Sequence, residues 1–190
     1  MPMGFEELAV WVRNFRTERP SDESIDQAKL LLLDGLGCAL AACAEDTFKE
    51  VKELVAELGG SKQARIWGSG ERSSVTLALF ANGVLIRILD LNDFTGLGKL
   101  TGHPGDNIAV ALTIGDWRRS TGHDLLCAIV MAYELYGRLQ DQISAPWDHV
   151  TASGFVAPAI TGFLMDLDMA RMSHAFALSA VHCPTLGAIR

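Results

Sequence analysis

The stretch from Leu30 to Cys43 limits what this chain can become more than any other part of it. Leu30 to Leu33 and Leu36 to Cys43 are apolar, with Asp34, Gly35 and Gly37 as interruptions. The run is too short and too broken for a convincing membrane span. In its N-terminal half Ile25, Ala28, Leu32 and Gly35 fall on one helical stripe, and beyond that both faces become apolar. This pattern predicts a helix over about 24–44, capped by Ser21 or Asp22, lying in the centre of a helical layer.

The flanking segments read the same way. Phe5, Leu8, Ala9, Val12 and Phe15 recur at helical spacing and give a short first helix. Val51, Leu54, Val55 and Leu58 give another over about 47–58, stopped by Gly59-Gly60. Ala64 to Trp67 reads as an extended link. Ser73 or Ser74 opens an apolar helix ending near Leu89, and a loop follows over 90–104. Pro104 suits the first turn of a helix over about 105–118. Thr121 with Asp124 resembles a capping box ahead of a helix running to about Leu139. Two more helices are expected at about 149–165 and 168–182, with Pro158 able to kink or delay the first. No strand–helix alternation and no GxGxxG occurs, so the expected class is all-α, with residues 1–190 as one partial helical domain.

A 49% apolar and 21% charged composition favours a folded core over disorder. The net charge of -7 comes without a basic stripe interleaved with aromatics, which argues against a nucleic-acid partner. Cys38, Cys43, Cys127 and Cys183 form no CxxC pair, so buried thiols in a reducing, cytoplasmic setting are expected. No signal-like N-terminus is read, and no membrane partner is expected.

The chemistry concentrates in one loop. Asp90-Leu91-Asn92-Asp93 emerges from the apolar segment Val84 to Leu89, a Gly-rich stretch follows, and Gly102-His103-Pro104-Gly105-Asp106-Asn107 leads into the next helix. Asp90 and Asp93 share a face on a helical turn and oppose each other on an extended one, so their use depends on local shape. A buried carboxylate there serves as general acid or base. His103 can exchange a proton with a substrate. Asp106 and Asn107 can cap the helix or bind a hydroxyl, and nearby backbone N–H groups can receive a carboxylate. His149 opens a helical segment after a polar loop, which suits a pocket-facing role. Arg138 and Lys99 are candidate anion ligands. Asp90, His103, Asp106 and His149 are metal-ligand types, yet no HxH or HExxH spacing supports a metal, and none is expected.

With Arg87-Ile-Leu-Asp-Leu-Asn-Asp93 and Gly102-His-Pro-Gly-Asp-Asn-Ile108 in place, and with Ala132-Tyr-Glu-Leu-Tyr-Gly-Arg-Leu139 and Trp147-Asp-His-Val-Thr151 in support, the chain resembles the MmgE/PrpD family. That family includes 2-methylcitrate dehydratases and cis-aconitate decarboxylase. The resemblance covers essentially all 190 residues, as the N-terminal part of the family's large helical domain, with its smaller α/β lid outside this chain. Phe94 stands where family members often carry Thr, with Thr95 next, and Gly105 stands where Ser is common.

What the resemblance implies is a lyase acting on a small hydroxylated di- or tricarboxylate without metal or organic cofactor, and dimerisation or association with a further C-terminal portion. The matching positions make Asp90, His103 and His149 the expected catalytic residues. Asn92, Asp93, Thr95, Lys99, Asp106, Asn107 and Arg138 are the expected substrate-binding residues. Dehydration of a compound such as 2-methylcitrate is the leading reaction. Decarboxylation, isomerisation or epimerisation of a related polycarboxylate is the alternative, and a non-catalytic helical assembly module is the reading from a different class.

Overall fold

In the computed structural model, residues 4–96, 101–142 and 147–186 are described. Among them are eight α-helices: α1 (Phe5–Asn14), α2 (Asp22–Ala42), α3 (Asp46–Leu58), α4 (Val75–Arg87), α5 (Ile108–Arg118), α6 (Gly122–Gln142), α7 (Thr151–Met165) and α8 (Met169–His182). The all-α class stands. Sequence-readable caps fix several boundaries. Ser21 Oγ accepts the Ser24 N–H at the start of α2, and Asp168 Oδ1 accepts the Arg171 N–H at the start of α8. The Thr121–Asp124 box closes as expected, each residue's side chain taking the other's backbone N–H. Gly59 ends α3 at φ 68°, a conformation that glycine adopts without penalty. Pro158 lies inside α7, which runs on through it to Met165.

The segment expected as an extended link is one arm of a small hairpin. Ala64–Arg65 (β1) pairs antiparallel with Arg72–Ser73 (β2). Asn82 of α4 holds it: its Oδ1 accepts the Trp67 N–H, and its Nδ2 donates to the Arg65 carbonyl and to Thr113 Oγ1. Asn82 is fully buried, so these bonds remove the penalty of enclosing an amide.

Two apolar clusters share α5. One joins α1, α6, α7 and α8 through residues such as Val12, Ile129, Val156 and Phe176. The other joins α3 and α4 to α2 through Phe48, Leu85 and Ile108. Each such large side chain contributes about 1.5–3 kcal/mol on burial. A methyl group on Gly35 would sit 3.2 Å from Ile108 Cδ1, so the glycine lets α2 approach the start of α5 closely. The 3-10 turn Pro104–Asn107 runs directly into α5. The histidine loop is therefore anchored where the two clusters meet.

α2 departs from its expected place in the middle of a layer. Ala28, Gly35, Cys38, Ala39 and Ala42 are buried, whereas Leu30, Leu33 and Leu40 are 61–69% exposed. Only one of its two apolar faces is covered. Among the described residues no single helix is long and apolar enough to cross a membrane.

Candidate functional site

The loop after α4 turns sharply at Asp90, which takes a left-handed conformation at φ 53°. Asp tolerates this region better than most residues. The turn sends the Asp90 carboxylate outward, where it pairs with Arg87 one turn back and stays 73% exposed. Asn92 is buried instead. Its Oδ1 accepts from Arg87 at 3.2 Å, and its Nδ2 donates to Asp106 Oδ1 at 2.8 Å. Arg87 Nε also lies 3.9 Å from Asp106 Oδ2. Arg87, Asn92 and Asp106 thus tie the two halves of the loop together. Burial pushes the Asp106 carboxyl above its ordinary range, although the Arg87 charge and the Asn92 bond pull the other way.

Asp93 is the acid that turns inward. Its Oδ1 accepts the Gly105 N–H at 2.9 Å, and its Oδ2 accepts the Tyr133 hydroxyl at 2.8 Å. Burial raises its pKa despite both bonds, and the Asp34 carboxylate of α2 raises it further. Tyr133 is itself raised strongly by burial and by the facing Asp93. Thr95 and Gly102 exchange backbone hydrogen bonds at 2.8 and 3.2 Å and so close the loop between them. Lys99, expected as an anion ligand, lies outside the described residues.

His103 follows that closure. Its Nδ1 lies 2.9 Å from the Asp93 carbonyl oxygen. A carbonyl only accepts, so Nδ1 carries the proton, and Nε2 is the nitrogen that can take one from a substrate. His149 is built in parallel. Its Nδ1 lies 3.2 Å from Asp148 Oδ1, and the Asp148 side chain is 5% exposed. A carboxylate likewise selects the Nδ1–H form, and the His149 Nε2 atom is buried. The two imidazole rings are 5.8 Å apart, centroid to centroid, tilted by 59°.

Tyr136, one turn along α6 from Tyr133, joins the two segments. Its hydroxyl donates to the His149 carbonyl at 3.2 Å, and the His103 main chain also bonds to it. Burial pushes its pKa up to about 12, so it stays a neutral phenol at any ordinary pH. Gly102 is required beneath it, because a β-carbon there would collide with the Tyr136 hydroxyl.

The remaining candidates are placed as follows. Asn107 is buried and donates to the Pro104 carbonyl and to Ser153 Oγ, so it braces the 3-10 turn against α7. Arg138 pairs with Glu134 and lies 5.7 Å over the Trp11 ring, which engages its charge at the α1–α6 surface. Asp90 and Arg138 are therefore not brought into the histidine cluster, whereas Asp93, His103 and His149 are. Sequence reasoning passed over Tyr133, Tyr136, Asp148 and Asp34. The first two had a readable signal: they are the only tyrosines in the chain and stand three apart on one helix face. Among the described residues no group of three or more His, Cys, Asp or Glu side chains is arranged to hold a metal ion.

The helical scaffold thus brings together two imidazoles, each held through Nδ1. The profile of the MmgE/PrpD N-terminal domain matches residues 6–190, and the chain belongs to the MmgE/PrpD family. It is 34% identical to an alkylcitrate dehydratase of a fungal species over 79% of this chain and 34% of that protein. It is 28% identical to a 2-methylcitrate dehydratase of Cupriavidus necator, over 92% of this chain and 39% of that protein. Similarity to the cis-aconitate decarboxylase of Mus musculus is 23%, over 93% and 38%. The chain thus spans a third to two fifths of the length of these curated relatives.

Proposed function

We propose that this chain supplies the acid–base half of a lyase that removes water from a small hydroxylated tricarboxylate. The observation that carries this reading is the pair of imidazoles 5.8 Å apart, both held through Nδ1. One Nε2 takes the proton from the carbon next to a substrate carboxylate. The electrons of that C–H bond form the new C=C bond as the β-C–O bond breaks. The other imidazole, protonated, gives its proton to the departing hydroxyl, which leaves as water. Lys99 of the Gly-rich loop is the cation proposed to meet a substrate carboxylate.

The names of the relatives support 2-methylcitrate or a longer alkylcitrate as substrate. Phe94 is next to the Thr95–Gly102 bridge and so stands across from His103, 69% exposed.

The test is turnover of 2-methylcitrate and of longer alkylcitrates by the longest form of the protein found in its natural source, followed by the absorbance of the enoic product. His103→Ala and His149→Ala are each expected to lower kcat by about 10²–10⁴-fold while circular dichroism stays unchanged. Unaltered turnover in both variants, or none on any hydroxy-tricarboxylate by the unsubstituted protein, would sink the reading.

A further inference from the structure

Both tyrosines of the chain lie on one face of α6, and both hydroxyls reach the histidine loops. Tyr136 holds main chain. Tyr133 holds a side chain, and that side chain belongs to the residue whose carbonyl orients His103. The connection runs through a few short bonds. Tyr133 donates to Asp93 Oδ2 at 2.8 Å, Asp93 Oδ1 accepts the Gly105 N–H at 2.9 Å, and the Asp93 carbonyl meets His103 Nδ1 at 2.9 Å. Asp93 is thus fastened at its carboxylate to a helix on one side and to the turn after His103 on the other. With the carboxylate fixed, the Asp93 peptide has one orientation, and its carbonyl points at the imidazole.

We infer that Tyr133 is a positioning residue for His103: by clamping the Asp93 carboxylate it aims the Asp93 carbonyl and so sets which ring nitrogen of His103 carries the proton. The inference rests on the reading of His103 as a proton-transfer group only for its importance, not for its truth. Without the hydroxyl, the carboxylate keeps the Gly105 N–H alone and can rotate about it. The carbonyl then loses its fixed direction, and the Nδ1–H and Nε2–H forms of the ring compete. A ring protonated at Nε2 cannot take a substrate proton there.

The readout is the imidazole tautomer. The protein, in its longest natural form, is labelled with 15N at histidine and followed by imidazole 1H–15N correlation spectra at about pH 8, where an ordinary imidazole is neutral. The His103 signal is assigned by its loss in His103→Gln. The unsubstituted protein is expected to show the Nδ1–H pattern. Tyr133→Phe is expected to move the ratio toward Nε2–H by about five-fold, the effect of losing one ordinary hydrogen bond. Asp93→Ala keeps the carbonyl, removes what Tyr133 and Gly105 both grip, and is expected to give a shift at least as large, which decides the matter if Tyr133→Phe fails to fold. Adding Tyr133→Phe to Asp93→Ala should change nothing more. An unchanged ratio in the single variants, or a further shift in the double variant, overturns the inference. Neither result depends on turnover, so a failed substrate assignment and a failed role for Tyr133 are told apart.

Discussion

Asp93 and Gly105 share one space: the Asp93 carboxylate lies where a β-carbon on residue 105 would have to be. The contact is also a hydrogen bond, because the Gly105 N–H points into the same oxygen at 2.9 Å. The glycine is thus needed for close approach of the carboxylate.

Gly105→Ala should therefore destabilise the chain by about 1–3 kcal/mol, through a displaced carboxylate in a packed site. Urea unfolding measures it. The same substitution made in an Asp93→Ala background should cost less than half as much, since the colliding group is gone. Equal costs in both backgrounds would show that Gly105 is needed for another reason.

Asp93 also sets a pH dependence. Its carboxyl is raised in the folded chain, chiefly by burial, so the folded state holds this proton more tightly than the unfolded state does. The resulting stabilisation is complete below the ordinary Asp value of about 3.9 and is lost as pH rises through the raised folded value. At neutral pH the buried charge is a net cost. Asp93→Asn keeps an acceptor for Gly105 and offers a donor to Tyr133, so it should raise the urea midpoint at pH 7. The gain should shrink as pH falls toward about 4. A gain that stays constant across that window contradicts the assignment.

Asp148→Asn should damage turnover far more than stability. The amide that replaces the carboxylate can donate to His149 Nδ1, which favours the Nε2–H form and leaves the wrong nitrogen protonated. A fall in kcat of about 10²–10⁴-fold is expected, with KM moving less. A fall seen only in KM would place Asp148 in substrate binding.

Leu30, Leu33 and Leu40 stand exposed on α2. Replacing all three by Ser should change the unfolding free energy of this 190-residue chain by no more than about 0.5 kcal/mol per site, because burial is hardly lost. A large drop in the midpoint would mean that these leucines are covered in solution.

Much of the helical frame was legible. The stripe of Ile25, Ala28, Leu32 and Gly35, the Gly59 stop and the Thr121–Asp124 box are local patterns, and local patterns survive folding. The α2 expectation failed on its second face because apolar spacing reveals that a face wants cover and says nothing of where the cover comes from. At the site, His103 and His149 were legible as residues and their pairing was not, since 46 positions separate them and the contact is tertiary. The outward placement of Asp90 and the inward placement of Asp93 go with a left-handed backbone at Asp90, φ 53°, which spacing alone could not supply. Tyr133 and Tyr136 were visible as i, i+3 neighbours, yet nothing in their own helix announces that both hydroxyls leave it to grip other loops.

The placement of the only two tyrosines gives the molecule a built-in optical reporter. Phenolate absorbs where phenol does not, so an alkaline spectrophotometric titration sees these two groups and no others of their kind. Both are held far toward the neutral form, Tyr136 up to about 12 and Tyr133 by burial against a carboxylate. In the intact chain the signal should stay silent well past the pH of about 10 at which an exposed tyrosine ionises. Its appearance at that ordinary pH would announce that the histidine loops had come away from α6, with no label added.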